Sequence, residues 1–327
     1  MQSPILNVKV AGVRRLTDRI NEYLLTSLDG SPLPRYEPGA HIELHLKSPV
    51  NGDFVRHYSL IGGTGMNNDP ACQYRIAVQR EPHLRGSAFI HDNLVSGSEL
   101  RISWPKNNFV LGRNDPHVLL IAGGIGITPI YAMLRSLARR NRSYSFLYSG
   151  RTETALAYRD DVMSIAGNNG TLHFSGEPAT DHLDFVALLR EQPEDTVIYI
   201  CGPKPMLDAA YRAGEQLGWA PERIRSEQFG VASSADDCAF DVVLNRSGKT
   251  VTVGRDTSIL DALTAAGVDL LSDCRRGECG LCPLSVISSE STISHRDRYL
   301  SQAEKDEGKT LCLCVSRISG GTLVLDA

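Results

Sequence analysis

Five cysteines crowd the end of the sequence, at positions 274, 279, 282, 312 and 314, and their spacing is a signature of metal chemistry. Asp273-Cys274-Arg275-Arg276-Gly277-Glu278-Cys279-Gly280-Leu281-Cys282 reads C-x4-C-x2-C, the opening of the plant-type [2Fe–2S] pattern. Such a cluster needs thiolates on a loop that wraps two irons. Gly277 and Gly280 suit that loop, because glycine permits positive φ and a close approach of backbone to the sulfurs. N–H groups aimed at sulfide then stabilise the reduced state. Zinc is the competing ion, but its sites pair two Cys-rich knuckles, and Cys312-Leu313-Cys314 is too tight for a second one. Cys274, Cys279 and Cys282 are therefore three of the predicted iron ligands. Residue count favours Cys312 as the fourth. Cys314-Val315-Ser316-Arg317 instead reads as the opening of an apolar strand, on which residues i and i+2 share a face, so both thiols can point the same way. We assign Cys314 as the fourth ligand and Cys312 as its buried neighbour.

A second constellation lies in Arg56-His57-Tyr58-Ser59-Leu60. An arginine can neutralise a flavin phosphate, a tyrosine ring can pack by the isoalloxazine, and a serine hydroxyl can reach the flavin N5 edge. The competing reading is an ordinary strand. Two neighbours favour the flavin: Ala77-Val78-Gln79 ends another strand, and Arg85-Gly86-Ser87 opens a helix whose N-terminus is a ready phosphate site.

A third is Ala122-Gly123-Gly124-Ile125-Gly126-Ile127-Thr128-Pro129, which follows an apolar run and starts a helix. Its glycines let a pyrophosphate approach the backbone, and proline suits the first helical turn. It is not the G-x-G-x-x-G dinucleotide pattern. Cys201-Gly202-Pro203, with Met206 just beyond, ends a later strand, and strand C-terminal ends are where open α/β sheets bind ligands. These residues, with Thr128, form the predicted nicotinamide site. Cys201 reads equally as a small core residue. Arg151 follows an intermediate strand and can meet the cofactor's ribose or phosphate. With no second cation beside it and Glu153 near, NADH is expected over NADPH.

These side chains need scaffolds. The first hundred residues read as short strands, at 41–46, 55–60, 74–79 and 99–103, with a helix near 87–94; this spacing predicts a small antiparallel barrel. From about residue 114 buried apolar strands alternate with helices (strands 118–122, 143–148 and 196–201, helices from 129 to 140 and from about 205), the rhythm of a parallel α/β sheet. Gly-Val-Ala-Ser-Ser-Ala-Asp-Asp, at 230–237, reads as a linker. Beyond it come strands 240–244 and 249–253, then a helix from Ser258 with Asp256 or Thr257 near its cap and Gly267 at its close. The expected division is a flavin-binding barrel over 1–110, an NAD-binding α/β domain over 111–230, a linker over 231–238 and an iron–sulfur domain over 239–327.

The 327 residues suit two or three domains. A net charge of −4 offers no basic footprint for nucleic acid. Arg14, Arg15, Asp18 and Arg19 break up any leader-like core. The run 118–134 is long enough for a membrane span but is broken by Gly123, Gly124, Gly126 and Pro129, as a buried strand–turn–helix would be. A clustered set of cysteines suits a reducing compartment. A cytoplasmic protein is expected, with no membrane contact, and monomeric by default.

The three motifs, in this order, resemble the phthalate dioxygenase reductase family, including its vanillate demethylase branch. Glu227-Gln228-Phe229, His295-Arg296-Asp297 and Leu323-Val324-Leu325-Asp326 extend the resemblance over essentially the whole chain. It implies a multidomain α+β and α/β protein: an antiparallel flavin barrel, a parallel NAD domain and a C-terminal ferredoxin-like β-grasp domain. It also implies FMN in preference to FAD, a [2Fe–2S] cluster, NADH as donor and a Rieske-type terminal oxygenase as acceptor. Phe229 would lie against the isoalloxazine until nicotinamide displaces it. The loop at 81–87 is shorter than the family's double-glycine version, and Trp104 stands where glycine is common. The alternatives are a reductase of another acceptor, such as a cytochrome or ferric chelate, and a non-catalytic redox sensor or electron-transfer subunit.

Overall fold

Period-two alternation builds the first sheet. In β3 (His41–Ser48) Ile42, Leu44 and Leu46 are buried in the core, while Glu43 and His45 point to the opposite face. A computed structural model describes residues 4–48, 52–61, 73–81, 85–229, 237–255, 257–273, 275, 277 and 279–327. The chain divides into two units, Met1–Gln228 and Phe229–Ala327.

In the first unit, β3 joins β1 (Ile5–Arg15), β2 (Ile20–Ser27), β4 (Gly52–Ser59), β5 (Tyr74–Gln79) and β6 (Glu99–Ser103) in an antiparallel sheet of order β4-β3-β6-β1-β2-β5. The Ile61 N–H donates to the Arg75 carbonyl at 2.9 Å, so the chain leaving one edge strand meets the other edge strand and nearly closes the barrel. β1 and β2 escaped the sequence reading for local reasons. The register of β1 shifts at Val10/Gly12, and β2 buries Glu22, so neither alternates cleanly. α1 (Arg85–Asn93) begins two residues before the expected start.

The same unit holds a five-stranded parallel sheet: β7 (His117–Gly123), β8 (Tyr144–Gly150), β9 (Gly170–Phe174), β10 (Thr196–Cys201) and β11 (Ile224–Glu227), in the order β11-β10-β7-β8-β9. Every residue of β10 is buried, as expected for a central parallel strand. Its helices are α2 (Ile127–Arg139), α3 (Arg159–Ala166), α4 (Phe185–Arg190) and α5 (Lys204–Gln216). The chain leaves β7 to build one side of the sheet and returns to β10 to build the other. The topological switch point, where such sheets bind ligands, thus lies between the ends of β7 and β10.

The second unit is a mixed sheet of order β13-β12-β18-β14-β16, built from β12 (Phe240–Leu244), β13 (Lys249–Val253), β14 (Pro283–Ser289), β16 (Thr310–Cys312) and β18 (Thr322–Leu325). β12 and β18 run parallel and the other pairs antiparallel. β15 (Ile293–Ser294) pairs with β17 (Arg317–Ile318) beside it. α6 (Ile259–Ala265) packs Ile259, Leu260 and Leu263 into the core. Its N-cap is Ser258 itself, whose hydroxyl accepts from the Asp261 N–H; Asp256 lies outside the described residues. α7 (Gln302–Glu307) carries a Ser301/Glu304 capping box. Residues 230–236 of the expected linker lie outside the described set, but Asp237 and Cys238 are fixed to this unit. Arg296 Nη1 donates to Asp237 at 2.9 Å. The buried Arg317 guanidinium donates to the carbonyls of Cys238 (3.0 Å), Gly254 (2.9 Å) and Thr257 (2.6 Å).

Candidate functional site

The predicted flavin residues divide between the two faces of β4. Arg56 and Tyr58 pair across from Leu44 and Ile42, on the inward face, and Tyr58 packs against the barrel core. His57 pairs across from Glu43 and lies on the other face, its ring stacked on His41 at 5.3 Å and its Nε2 3.6 Å from Glu43 Oε1. Its side chain is thus committed away from Arg56. Ser59 is buried, and its Oγ finds no hydrogen-bond partner among the described residues, which fits a partner supplied by a ligand.

Gly86 brings Arg56 and α1 together. A Cβ on Gly86 would stand 2.9 Å from Arg56 Cζ, so only glycine lets the guanidinium lie across the first turn of the helix. A cation over a helix N-terminus is a cradle for a phosphate. Arg85 opens α1, but its side chain lies outside the described residues, as do residues 82–84. The Ser87 hydroxyl accepts from the Glu81 N–H at 3.0 Å. Ala77 and Val78 are buried, and the Val78 carbonyl accepts from His91 Nε2 at 2.8 Å, fastening α1 to β5. The Gln79 amide pairs with Glu81.

The two glycine turns meet at the switch point. A Cβ on Gly126 would lie 2.5 Å from the Cys201 carbonyl carbon, and one on Gly123 would lie 2.6 Å from Met206 Sδ and 2.8 Å from Pro203 Cδ. Gly202 presses on the same Met206 sulfur. The ends of β7 and β10 are therefore in backbone contact. Cys201 is fully buried. The Thr128 hydroxyl donates to the Ile125 carbonyl at 3.1 Å, shaping the turn rather than facing the opening. Gly123, Gly124, Pro203 and Met206 line one wall of a cleft of about 1620 Å³, and Gln79 and Glu81 at the end of β5 line another. Arg151 is exposed in this cleft, 3.6 Å from Glu177. The sequence reading expects no second cation beside Arg151, but four more arginines line this cleft: Arg159, which starts a helix eight residues on and pairs with Glu153 and Asp160, and Arg14, Arg15 and Arg19 of the barrel.

In the second unit the Cys282 and Cys314 sulfurs are 3.2 Å apart. Hydrogen bonds from Cys312, then Cys314, draw the Cys282 thiol below its usual pKa, toward the thiolate form that binds iron. Cys279 is exposed, and Cys274 lies outside the described residues. One expectation needs correcting: Cys314 is not on a strand. β16 ends at Cys312, whose carbonyl accepts from the N–H groups of Val315 (3.2 Å) and Ser316 (3.0 Å), so Cys314 sits in a turn that carries its sulfur back toward Cys282.

The loop glycines have the predicted positive φ, +74° at Gly277 and +69° at Gly280, and among the described residues each is crowded by the segment 297–299. A Cβ on Gly277 would lie 2.8 Å from Asp297 Cα, and one on Gly280 would lie 2.6 Å from Cδ2 of the Tyr299 ring. The Gly277 carbonyl accepts from the N–H groups of Arg298 and Tyr299. Asp297, with the Leu300 N–H on its carboxylate at 2.9 Å, fixes that segment. Asp297, the last residue of the His-Arg-Asp motif, thus braces the cysteine loop together with Arg298 and Tyr299. Gly280→Ala is expected to lower iron and sulfide per chain by more than half, and Tyr299→Ala in the same chain to restore most of it. Equal iron in all three proteins would show that the loop yields freely.

Residues 242–319 match the 2Fe-2S iron-sulfur cluster binding domain family, and residues 120–212 the oxidoreductase NAD-binding domain family. The chain is 38% identical over 322 residues to a putative toluene-4-sulfonate monooxygenase system reductase subunit of Comamonas testosteroni, covering 98% of each. It is 34% identical over 329 residues to a vanillate O-demethylase oxidoreductase of a Pseudomonas species, covering 98% of this chain and 100% of the other. A solved phthalate dioxygenase reductase, described as a modular structure for electron transfer from pyridine nucleotides to [2Fe-2S], superposes with a TM-score of 0.83 at 31% identity, over 99% of this chain and 98% of that one.

Proposed function

The chain belongs to the phthalate dioxygenase reductase family, and from that premise we propose that it is the NADH-oxidising reductase component of a Rieske-type oxygenase system, working with FMN and a [2Fe–2S] cluster. The observation that carries this reading is the cleft whose walls are the end of β5 and the touching turns after β7 and β10. It brings a flavin strand and a dinucleotide turn to one opening. When bound, the flavin accepts a hydride and releases its electrons singly, which is the currency an iron–sulfur cluster takes.

The protein's own residues bind and orient. Arg56 and the first turn of α1, with Arg85, Gly86 and Ser87, hold the FMN phosphate. Ser59 supplies a hydroxyl from a buried position to the flavin edge, with Tyr58 and the Ala77–Gln79 backbone beside it. Gly123, Gly124 and Gly126, with Gly202, Pro203 and Met206, form the floor for the nucleotide. Arg151 and Arg159, like Arg14, Arg15 and Arg19 in the same cleft, are each matched by carboxylates, which disfavours a third phosphate and supports NADH. Cys274, Cys279, Cys282 and Cys314 hold the cluster. Burial holds Tyr58 above the usual phenol range, so it keeps its proton. The acceptor is a Rieske-type oxygenase, and the protein works as a cytoplasmic monomer. No helix among the described residues is long and apolar enough to cross a membrane.

Anaerobic addition of NADH to the purified yellow-brown holoprotein should bleach the flavin band and then the cluster band. A purified Rieske oxygenase should then be reduced in the same cuvette. A flavin that stays oxidised under excess NADH, yet is reduced by dithionite, sinks the proposal.

A further inference from the structure

A line of buried polar groups runs from the dinucleotide turn to the flavin strand. Tyr148, in β8 and fully buried, has its hydroxyl 3.1 Å from both the Gly124 and the Ala157 carbonyl oxygens, so its one proton is shared between them. The next residue, Tyr158, adopts φ +59°, a left-handed conformation that a bulky side chain takes only when its surroundings enforce it. Its ring lies 5.4 Å from that of Tyr131 in α2, and its hydroxyl donates to Glu22 Oε2 in the barrel at 2.8 Å. Glu22 is 3% exposed. Arg14 Nε approaches its other oxygen at 3.1 Å, and Arg75 Nε approaches the shared one at 3.3 Å. Glu22 also pairs across the sheet with Ala77.

A buried carboxylate is costly unless it is fully matched, and removing one partner exposes that cost. Two cations already match Glu22 within the barrel, so its phenol partner is not needed to neutralise it. What Tyr158 adds is an attachment: a single directional bond between the barrel and the nucleotide domain, made by a residue whose neighbour Ala157 is tied to the Gly124 turn. Burial, then Glu22, hold the Tyr158 phenol far above its ordinary pKa, so the bond keeps its sense at every working pH.

Resting on the function proposed above, we infer that the Tyr158–Glu22 bond is a positioning element that sets the Gly124 turn, and with it the bound nicotinamide, against the flavin strand β5. It touches neither cofactor and acts through the turn and the strand. Hydride transfer is steep in donor–acceptor placement, whereas nucleotide affinity rests on phosphate and ribose contacts. Loosening the attachment therefore lowers the limiting rate more than the affinity.

The experiment is stopped-flow reduction of the holoprotein by NADH, followed in the flavin band, for the unmodified protein, Tyr158→Phe and Glu22→Gln. Tyr158→Phe, which removes one oxygen, should lower the limiting rate about tenfold, the scale of a sub-ångström misplacement, with NADH Kd within about twofold and unchanged iron content. Glu22→Gln keeps an acceptor for the phenol and should retain more than half of the rate. An unchanged limiting rate in Tyr158→Phe overturns the inference even if its melting temperature falls, and so does a weaker NADH Kd at full limiting rate. Failure of the unmodified protein to be reduced by NADH overturns both this inference and the function beneath it.

Discussion

Cys314→Ser is expected to strip the iron–sulfur centre, with iron and acid-labile sulfide falling to a small fraction of one cluster per chain and the cluster's visible absorbance disappearing. NADH should still bleach the flavin at close to the normal rate, while delivery of electrons to a protein acceptor ceases. Cys312→Ser should keep the cluster. Both sulfurs lie near Cys282, so proximity alone does not separate them. The separation comes from the backbone. Cys312 is paired across from Pro283 within the sheet, and its own carbonyl is taken by two turn N–H groups, so it is held inside the core. Cys314 rides the turn itself, where a loop ligand has the freedom to complete a coordination sphere. Anaerobic purification of both variants, with iron and sulfide assays, decides the matter. Cluster loss confined to Cys312→Ser reverses the assignment.

The second large effect is expected at Gly126. The position of a Cβ there is taken by the main chain of Cys201, which has no rotamer through which to retreat. Gly126→Ala must therefore push the turn after β7 away from β10, opening the switch point at which the nucleotide binds. Flavin reduction by NADH should fall by about a hundredfold, the scale attached to a displacement of roughly an ångström at a reacting centre. Dithionite should still reduce flavin and cluster normally. Met206→Ala removes only the flexible side chain packed against Gly123 and should cost far less. If Gly126→Ala is reduced by NADH as fast as the unmodified protein, the contact between the two turns does not shape the nucleotide site.

Much of this was legible in the order of the residues. C-x4-C-x2-C specifies a metal loop because the chemistry fixes the spacing. The strand–glycine–helix run at 118–129 specifies a ligand turn because glycine and proline have few other uses together. The strands β7 and β10 were readable because parallel strands buried on both faces give unbroken apolar runs. What stayed hidden depends on contacts far apart in sequence. Glu22 lies 136 residues from Tyr158, on a strand without clean alternation, so nothing local marks it as the partner of that phenol. Tyr299 could not be matched to Gly280, since only the folded loop brings them together. Cys314 reads as the opening of a strand that continues through Val315, but the structure places residues 313–315 in a turn, and strand β17 starts only at Arg317. The face of His57 follows from β-pairing with Glu43, a register that no local pattern encodes.

The grip of Arg317 has a consequence for anyone who wishes to transplant the C-terminal electron carrier onto another enzyme. Three residues beyond Cys314, this cation reaches back to the oxygen of Cys238, ahead of the first strand of its own sheet. A fusion joint placed at that strand would sever one of its three carbonyl partners and leave a cation of 4% exposure partly unanswered. The transferable piece starts no later than Asp237.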